Sequence, residues 1–253
     1  MNQGARVVRI FDDSSALDRA AAGLVAGSCR DAIASRGRFT LAFSGGSTPQ
    51  GLYRLLAGPP YRDRIDWTVV HVFWADERCV PPDHPDSNYR LVNDLLLSHV
   101  PVLPQNVHRI HGENAPDRAA SDYEKELRDI LGTPVPAFDL VLLGMGKDGH
   151  TASLFPRHPS LDESSRTAVP VLGGPDGHHR ITLTLPVLDH ALLVLFLVTG
   201  REKAPAVSLV LEQGNPGRYP AGLVRSGSGS SHWLLDCAAA SKLKGYKGAC
   251  FRS

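Results

Sequence analysis

Short apolar runs and amphipathic stretches take turns along this chain, and each change of period marks an element. A stretch rich in alanine and leucine opens at Ser14 or Ser15, either of which can cap a helix, and runs toward Gly37, a residue type suited to the position just past a helix end. Arg38 to Ser44 (RFTLAFS) then reads as a buried strand. Pro49 to Ala57 reads as a helix, with Pro49 in its first turn and Gly58 as its stop. The pattern recurs, with Thr68 to Ala75 (TVVHVFWA) as strand, Asn88 to His99 as helix, Pro116 to Leu131 as helix and Phe138 to Leu143 (FDLVLL) as strand. Beyond a loop-rich stretch come a strand at Arg180 to Leu185 (RITLTL), a helical turn near Pro186 to His190, a strand at Leu192 to Thr199 and a helix from Arg201 to Glu212. Pro205 is tolerable in that last helix only within its first turn.

Continuous Val/Leu/Ile strands separated by helices predict a doubly wound α/β fold, a mostly parallel sheet with helices on both faces, because a sheet with one wet face would alternate more cleanly. Such sheets bind ligands beyond the carboxyl ends of their strands, so the residues just after each strand are where chemistry is to be sought.

Composition narrows the classes. The 253 residues are 42% hydrophobic and 21% charged, enough apolar material for a large core. No polar linker divides them, so one domain over residues 1–253 with flexible extreme termini is expected. Lys plus Arg is 27 against 26 for Asp plus Glu, which removes the global basic field that nucleic-acid or anionic-membrane binding requires. Any anion must be held locally. Cys29, Cys79, Cys237 and Cys250 show neither a C-x-x-C pair nor metal-finger spacing, and they read as reduced thiols. No secretory leader or bilayer-length apolar run stands in the sequence, so a cytoplasmic protein is expected. Alternating Ser and Gly at Ser226 to Ser231 predict a flexible surface loop.

Four strand ends carry chemistry. After the first strand, Ser44, Gly45, Gly46, Ser47, Thr48 and Pro49 combine close backbone approach, hydroxyl donors and a following helix N-terminus, the makings of a phosphate cradle or of a plain capped turn. After the second come Asp76, Glu77 and Arg78, then Ser87, Asn88 and Tyr89; the arginine offers a rigid fork for phosphate or an oxyanion, and the carboxylates can hold it or bind sugar hydroxyls. After the third comes GMGKDGHTASLFP, Gly144 to Pro156, where His150, alone among eleven histidines, sits in a glycine-rich loop behind a buried strand. His178 and His179 lie in a polar loop, and His108 and His111 lack further metal ligands. After the fourth, TGREK places Lys203 at the head of a helix as a further phosphate contact.

Taken together and in this order, SGGSTP, DER with SNY, GMGKDGHTASLFP, RITLTL and TGREK resemble the 6-phosphogluconolactonase family, which shares its fold with the glucosamine-6-phosphate deaminase/isomerases; the resemblance spans roughly residues 8 to 240. It implies hydrolysis of 6-phospho-D-glucono-1,5-lactone in the oxidative pentose phosphate pathway, with His150 as the catalytic histidine and Asp148 close to it. It also implies that the Ser44 to Thr48 turn, Arg78, Arg180 and Lys203 surround the phosphate or the lactone carbonyl, with Asp76 and Asn88 among the binding residues. The expected partner is a small phosphorylated sugar lactone bound by a monomer, with no nucleic acid, membrane, metal or other cofactor.

Three rivals stand beside this reading. The deaminase/isomerase branch is disfavoured because it carries Tyr where this chain has Arg78 and an acidic residue where this chain has Phe155. A nucleotide-dependent oxidoreductase is suggested by Gly144-x-Gly146-x-x-Gly149, but a true dinucleotide fingerprint opens a helix, and Leu154, Phe155 and Pro156 would cut one short. A silent sugar-phosphate sensor has no use for His150 and Arg78 together.

Overall fold

The computed structural model describes residues 5–132, 135–215, 218–225 and 229–245. The first half runs β1 (Ala5–Phe11), α1 (Ser14–Arg36), β2 (Phe39–Phe43), α2 (Gln50–Ala57), α3 (Tyr61–Arg64), β3 (Val70–Trp74), β4 (Asp76–Arg78), α4 (Asn88–Leu95) and α5 (Pro116–Leu131). The second runs β5 (Leu140–Leu143), β6 (Ala168–Val171), β7 (Arg180–Leu183), α6 (Leu185–His190), β8 (Leu193–Val198), α7 (Ala204–Leu211), α8 (Pro220–Leu223) and β9 (Ser230–Asp236).

Six of the strands form one wholly parallel sheet in the order β1-β9-β8-β5-β2-β3. Every residue of β2 and of β5 is buried. Successive strand residues point to opposite faces, so both faces of the central strands are covered, as their unbroken apolar sequences require. Trp74 and Trp233 are fully buried, and Trp233 stacks on Phe196 with ring centroids 4.0 Å apart.

Long α1 starts where the side chain of Asp13, rather than Ser14 or Ser15, accepts the Ala16 amide at 2.7 Å. It ends at left-handed Gly37 (φ 72). The expected strand at residues 68–75 begins only at Val70, because Asp66 caps a 3₁₀ turn over Trp67–Val69. The expected helix to His99 stops at Leu95, and Leu97–His99 form a 3₁₀ turn of their own. Arg201–Lys203 likewise form a 3₁₀ turn ahead of α7, whose first turn accommodates Pro205.

Two departures matter for the site. Residues 76–78, read as loop, form β4, and RITLTL does not join the main sheet. Together with β6 they build a separate antiparallel sheet in the order β4-β7-β6. The edge pair β1 and β9 also had no counterpart in the sequence reading. β1 carries Arg6 and Arg9 among its apolar residues and is half-exposed, so its pattern is that of an edge. Part of the expected Ser/Gly loop, residues 226–228, lies outside the described residues, but Ser230 and Ser231 open β9 and Ser231 is buried. The extreme termini expected to be flexible also lie outside them. Cys29 and Cys79 are free thiols, whereas Cys237 is disulfide-bonded, a correction to the expectation of four reduced cysteines. Sequence spacing could not reveal it, because pairing is decided by distance in space. Among the described residues, no helix is long and apolar enough to cross a membrane.

Candidate active site

From β2 the chain moves outward to β3, and from β5 it moves the other way, through the small sheet, to β8 and β9. The strand order therefore reverses between β2 and β5, and a crevice at their carboxyl ends is the expected ligand site. Register makes the crevice narrow. Ala42 pairs with Val141, so Ser44 and Gly144 leave the sheet within a residue of the same level, and Phe43 pairs with Trp74, which puts Asp76 beside them. The resulting cleft holds about 700 Å³ of free space. All the site residues expected from sequence line it except Asp148: Ser44, Gly45, Gly46, Ser47, Thr48, Asp76, Arg78, Asn88, His150, Arg180 and Lys203.

The turn after β2 is fixed from several sides. Gly46 is left-handed (φ 91), a conformation that favours glycine. A Cβ on Gly45 would stand 1.8 Å from Oδ1 of Asn88, so only glycine lets the turn press against that buried amide. Helix α2 lacks a side-chain cap of its own at Pro49. Asp18, on the otherwise apolar face of α1, fills that role: its Oδ2 would lie 1.9 Å from a Cβ on Gly51, and its carboxylate accepts the Leu52 amide. Burial of Asp18 outweighs that bond and raises its pKa to about 6, and its Oδ1 has no partner among the described residues.

The small sheet supplies the cations. Asp76 and Arg78 are two residues apart on β4 and so project to one face, while Glu77 projects to the other. Arg78 lies directly opposite Arg180 of β7. Like charges so placed repel and favour an anion between them. Arg180, buried, bonds Ser153 Oγ at 3.3 Å, pairs with Asp176 and lies 3.7 Å from Asp76 Oδ2. Arg78 gives one N–H to the Asp86 carbonyl at 2.6 Å. The Nε atoms of both arginines are buried and unpartnered among the described residues.

Asp76 and Asn88 are nearly inaccessible and committed to each other: the Asn88 amide donates to the Asp76 carbonyl at 2.8 Å, and Asp76 also accepts Ser153 Oγ at 2.6 Å. They brace the cleft wall and stand in its lining. Behind them Glu77 accepts from the amides of Arg78, Asn88 and Tyr89 and from Ser87 Oγ at 2.7–3.1 Å. Burial nevertheless pushes its pKa up to about 7 against the pull of those amides.

On the loop after β5, His150 Nδ1 lies 2.6 Å from Asp148 Oδ1. The bond to the imidazole holds the Asp148 pKa down to about 2, so the carboxylate only accepts and Nδ1 must carry the hydrogen. That leaves Nε2 as the basic lone pair. A Cβ on Gly146 would stand 2.1 Å from His150 Nδ1, so glycine there makes room for the ring. Phe155 packs between the imidazole, 4.9 Å between centroids, and the Arg180 guanidinium 5.7 Å from its ring. Ala152, in the cleft wall, is held left-handed (φ 46), an uncommon conformation for a residue with a Cβ.

Residues 149–158 form turns and no helix, so the formal G-x-G-x-x-G match lacks the helix a dinucleotide site uses. Lys203 reaches the cleft from the turn after β8, which Thr199 ties to Thr48 through their hydroxyls at 3.3 Å. His108 bonds His71 and Glu126, while His111 bonds Glu113, so the two do not act as a pair. Among the described residues no three His, Cys, Asp or Glu side chains converge as metal ligands. The sequence reading missed Asp18 and Asp176 as parts of this site, and it assigned no contact to Ser153 or Phe155 although both stand in the GMGKDGHTASLFP motif. Of Asp18 and Asp176, only Asp18 left a signal, an acidic residue on the helical stripe that also carries Leu17, Ala21, Ala22 and Val25.

Comparisons with known proteins bear on the family and the fold. A 6-phosphogluconolactonase of Nostoc sp. is 38% identical over 243 residues, spanning 94% of this chain and 98% of the relative. One from Synechocystis sp. is 42% identical over 218 residues, spanning 84% and 88%. The solved 6-phosphogluconolactonase from Trypanosoma cruzi superposes with a TM-score of 0.86 at 26% identity, covering 96% of this chain and all of that one. The model of the glucosamine-6-phosphate isomerases/6-phosphogluconolactonase family matches residues 12–233, and the chain belongs to that family.

Proposed function

We propose that this chain hydrolyses 6-phospho-D-glucono-1,5-lactone to 6-phosphogluconate, the second step of the oxidative pentose phosphate pathway, with His150 as general base. The observation that carries the reading is the Asp148–His150 pair at 2.6 Å in a cleft that also presents Arg78, Arg180 and Lys203. The names and coverage of the relatives support the same substrate.

The substrate phosphate is held by cations of the cleft and by amides at the head of α2, where the helix dipole favours negative charge. Anchoring that end brings C1 of the ring to the imidazole. His150 Nε2 takes a proton from water as its oxygen bonds to C1, and guanidinium and loop amide donors stabilise the oxyanion that forms. Collapse breaks the bond between C1 and the ring oxygen, which leaves with the proton from the imidazolium. Atoms balance, since one water is consumed and the ester becomes a hydroxyl and a carboxylic acid that ionises. Asp148 holds the Nδ1–H tautomer and stabilises the imidazolium throughout. A lactone is an ester already prone to hydrolysis, so positioning plus a base worth about 10² to 10⁴ in rate is sufficient.

The test is turnover of the freshly generated lactone by wild type and by His150→Ala. Turnover by wild type and a loss of about 10² or more in kcat for the variant are expected. Equal rates would remove His150 from the mechanism, and an inactive wild type would favour the sensor reading.

A further inference from the structure

A second basic concavity lies on the rim opposite the cleft. Arg6 and Ser231 are paired second residues of the parallel strands β1 and β9, so they stand at the amino ends of the strands, whereas the cleft opens at the carboxyl ends. Arg218, Arg225 and Asn215 complete its polar lining, and it holds about 1320 Å³ of free space, more than the cleft itself.

Its charges are incompletely answered. The guanidinium of Arg6 is pushed below its ordinary pKa by burial and then by the positive charge of Arg225, which places two like charges within mutual reach. Arg218 pairs with Asp162 at 3.3 Å, but both side chains are largely exposed, and such a pair is weak. Asp189 accepts the main-chain amide of Arg225 at 2.7 Å. No carboxylate lines the pocket. Nor can an undescribed side chain supply one: residues 1–4, 133–134, 216–217, 226–228 and 246–253 contain neither Asp nor Glu.

The wall is also built at a conformational cost. Asn215 (φ 58) and Arg218 (φ 49) are both left-handed, and the Tyr219 amide bonds Asn215 Oδ1 at 2.8 Å to hold the turn. A Cβ on Gly222 would stand 2.6 Å from Asn215 Nδ2, so glycine there leaves that amide its place in the lining. Backbone held in a sparsely populated region is a recurrent mark of ligand-binding loops.

We propose that this amino-rim pocket is a second anion site, separate from the substrate cleft, that binds a ligand carrying two linked phosphate-type groups through Arg6, Arg218 and Arg225. Two linked phosphates match the demand, because each guanidinium fork can take up two phosphate oxygens, and three forks together can take up six, the number of terminal oxygens on a diphosphate and more than one phosphate group offers. The inference does not depend on the lactonase reading.

Calorimetric titration with inorganic pyrophosphate tests it, using the full chain as wild type, as Arg6→Gln/Arg225→Gln and as the cleft variant Arg180→Ala. Saturable binding by wild type is expected to survive Arg180→Ala and to weaken about ten-fold or more in the double variant, the loss of at least one charge-assisted contact. Arg6 and Arg225 keep exposed side chains, with the Arg6 guanidinium only partly covered, so folding should persist in that variant, and far-UV circular dichroism with a matched melt verifies it. Arg6→Lys/Arg225→Lys should retain an intermediate affinity. No binding by wild type, binding unchanged in the double variant, or binding abolished by Arg180→Ala alone would each overturn the proposal.

Discussion

Gly146→Ala is the perturbation for which this structure makes the sharpest demand. The added methyl would stand 2.1 Å from His150 Nδ1, 2.3 Å from Cε1 and 2.6 Å from Asp148 Oδ1, all well inside van der Waals contact. The obstacle is the end of a side chain rather than backbone, so the imidazole swings away and the fold survives. Gly146 is not among the left-handed glycines, so alanine fits its backbone, and a smaller unfolded-state entropy offsets part of any packing loss. Catalysis has no such escape. Displacing the base and breaking its bond to Asp148 removes general-base assistance worth about 10² to 10⁴ in rate, or about 3–5 kcal/mol of transition-state stabilisation. Gly144→Ala is the matched control, two residues away in the same loop, with no atom within 4 Å of its Cβ. The assay is kcat and KM for the phosphorylated lactone, with a thermal melt of each variant. Gly146→Ala should lose kcat with little change in melting, and Gly144→Ala should keep both its melting and its kcat, with any effect confined to KM because Gly144 lines the cleft. Wild-type kcat in Gly146→Ala would refute the placement of the imidazole in the mechanism.

Two further outcomes follow from buried carboxylates. Asp18 has its pKa raised to about 6, so its stabilising contribution is complete below the unfolded value of 3.8 and is lost as pH rises through 6. Asp18→Asn should therefore melt higher than wild type at pH 8 by on the order of 1–3 kcal/mol, with the gain fading toward pH 4; an equal or lower melt at pH 8 would count against a buried, strained charge there. Glu77→Gln would turn an amide group toward a site where three main-chain N–H groups and a hydroxyl donate, and should cost about 2–4 kcal/mol in a denaturant melt, an expectation undone by an unchanged midpoint.

Much of this protein is written locally. The unbroken apolar strings Phe39–Phe43 and Leu140–Leu143 announce strands buried on both faces, and the boundaries of Pro116–Leu131 follow from a proline at the head and a glycine after the end. The chemistry also sits in short contiguous motifs, so Ser44, Arg78, His150 and Lys203 could be singled out before any coordinates, with Arg180 added by the family resemblance, and they do line one cleft. These features depend on residues within a turn or two of one another, where period, caps and glycine conformations act.

What only the tertiary structure decided depends on pairings between distant segments. The three residues of β4 are too short for a period and gain strand character from β7, about a hundred residues on; that pairing is what sets Arg78 against Arg180. Asp18 looks like one acid on an alanine-rich helix until α1 packs on α2 and its carboxylate meets the Leu52 amide. Edge strand β1 and its neighbour β9 come from opposite ends of the chain, and β1 is defined by hydrogen bonds that β9 supplies. Register, cross-strand charge and buried caps are properties of proximity in space, and a linear string of residues fixes such proximity only through the whole fold.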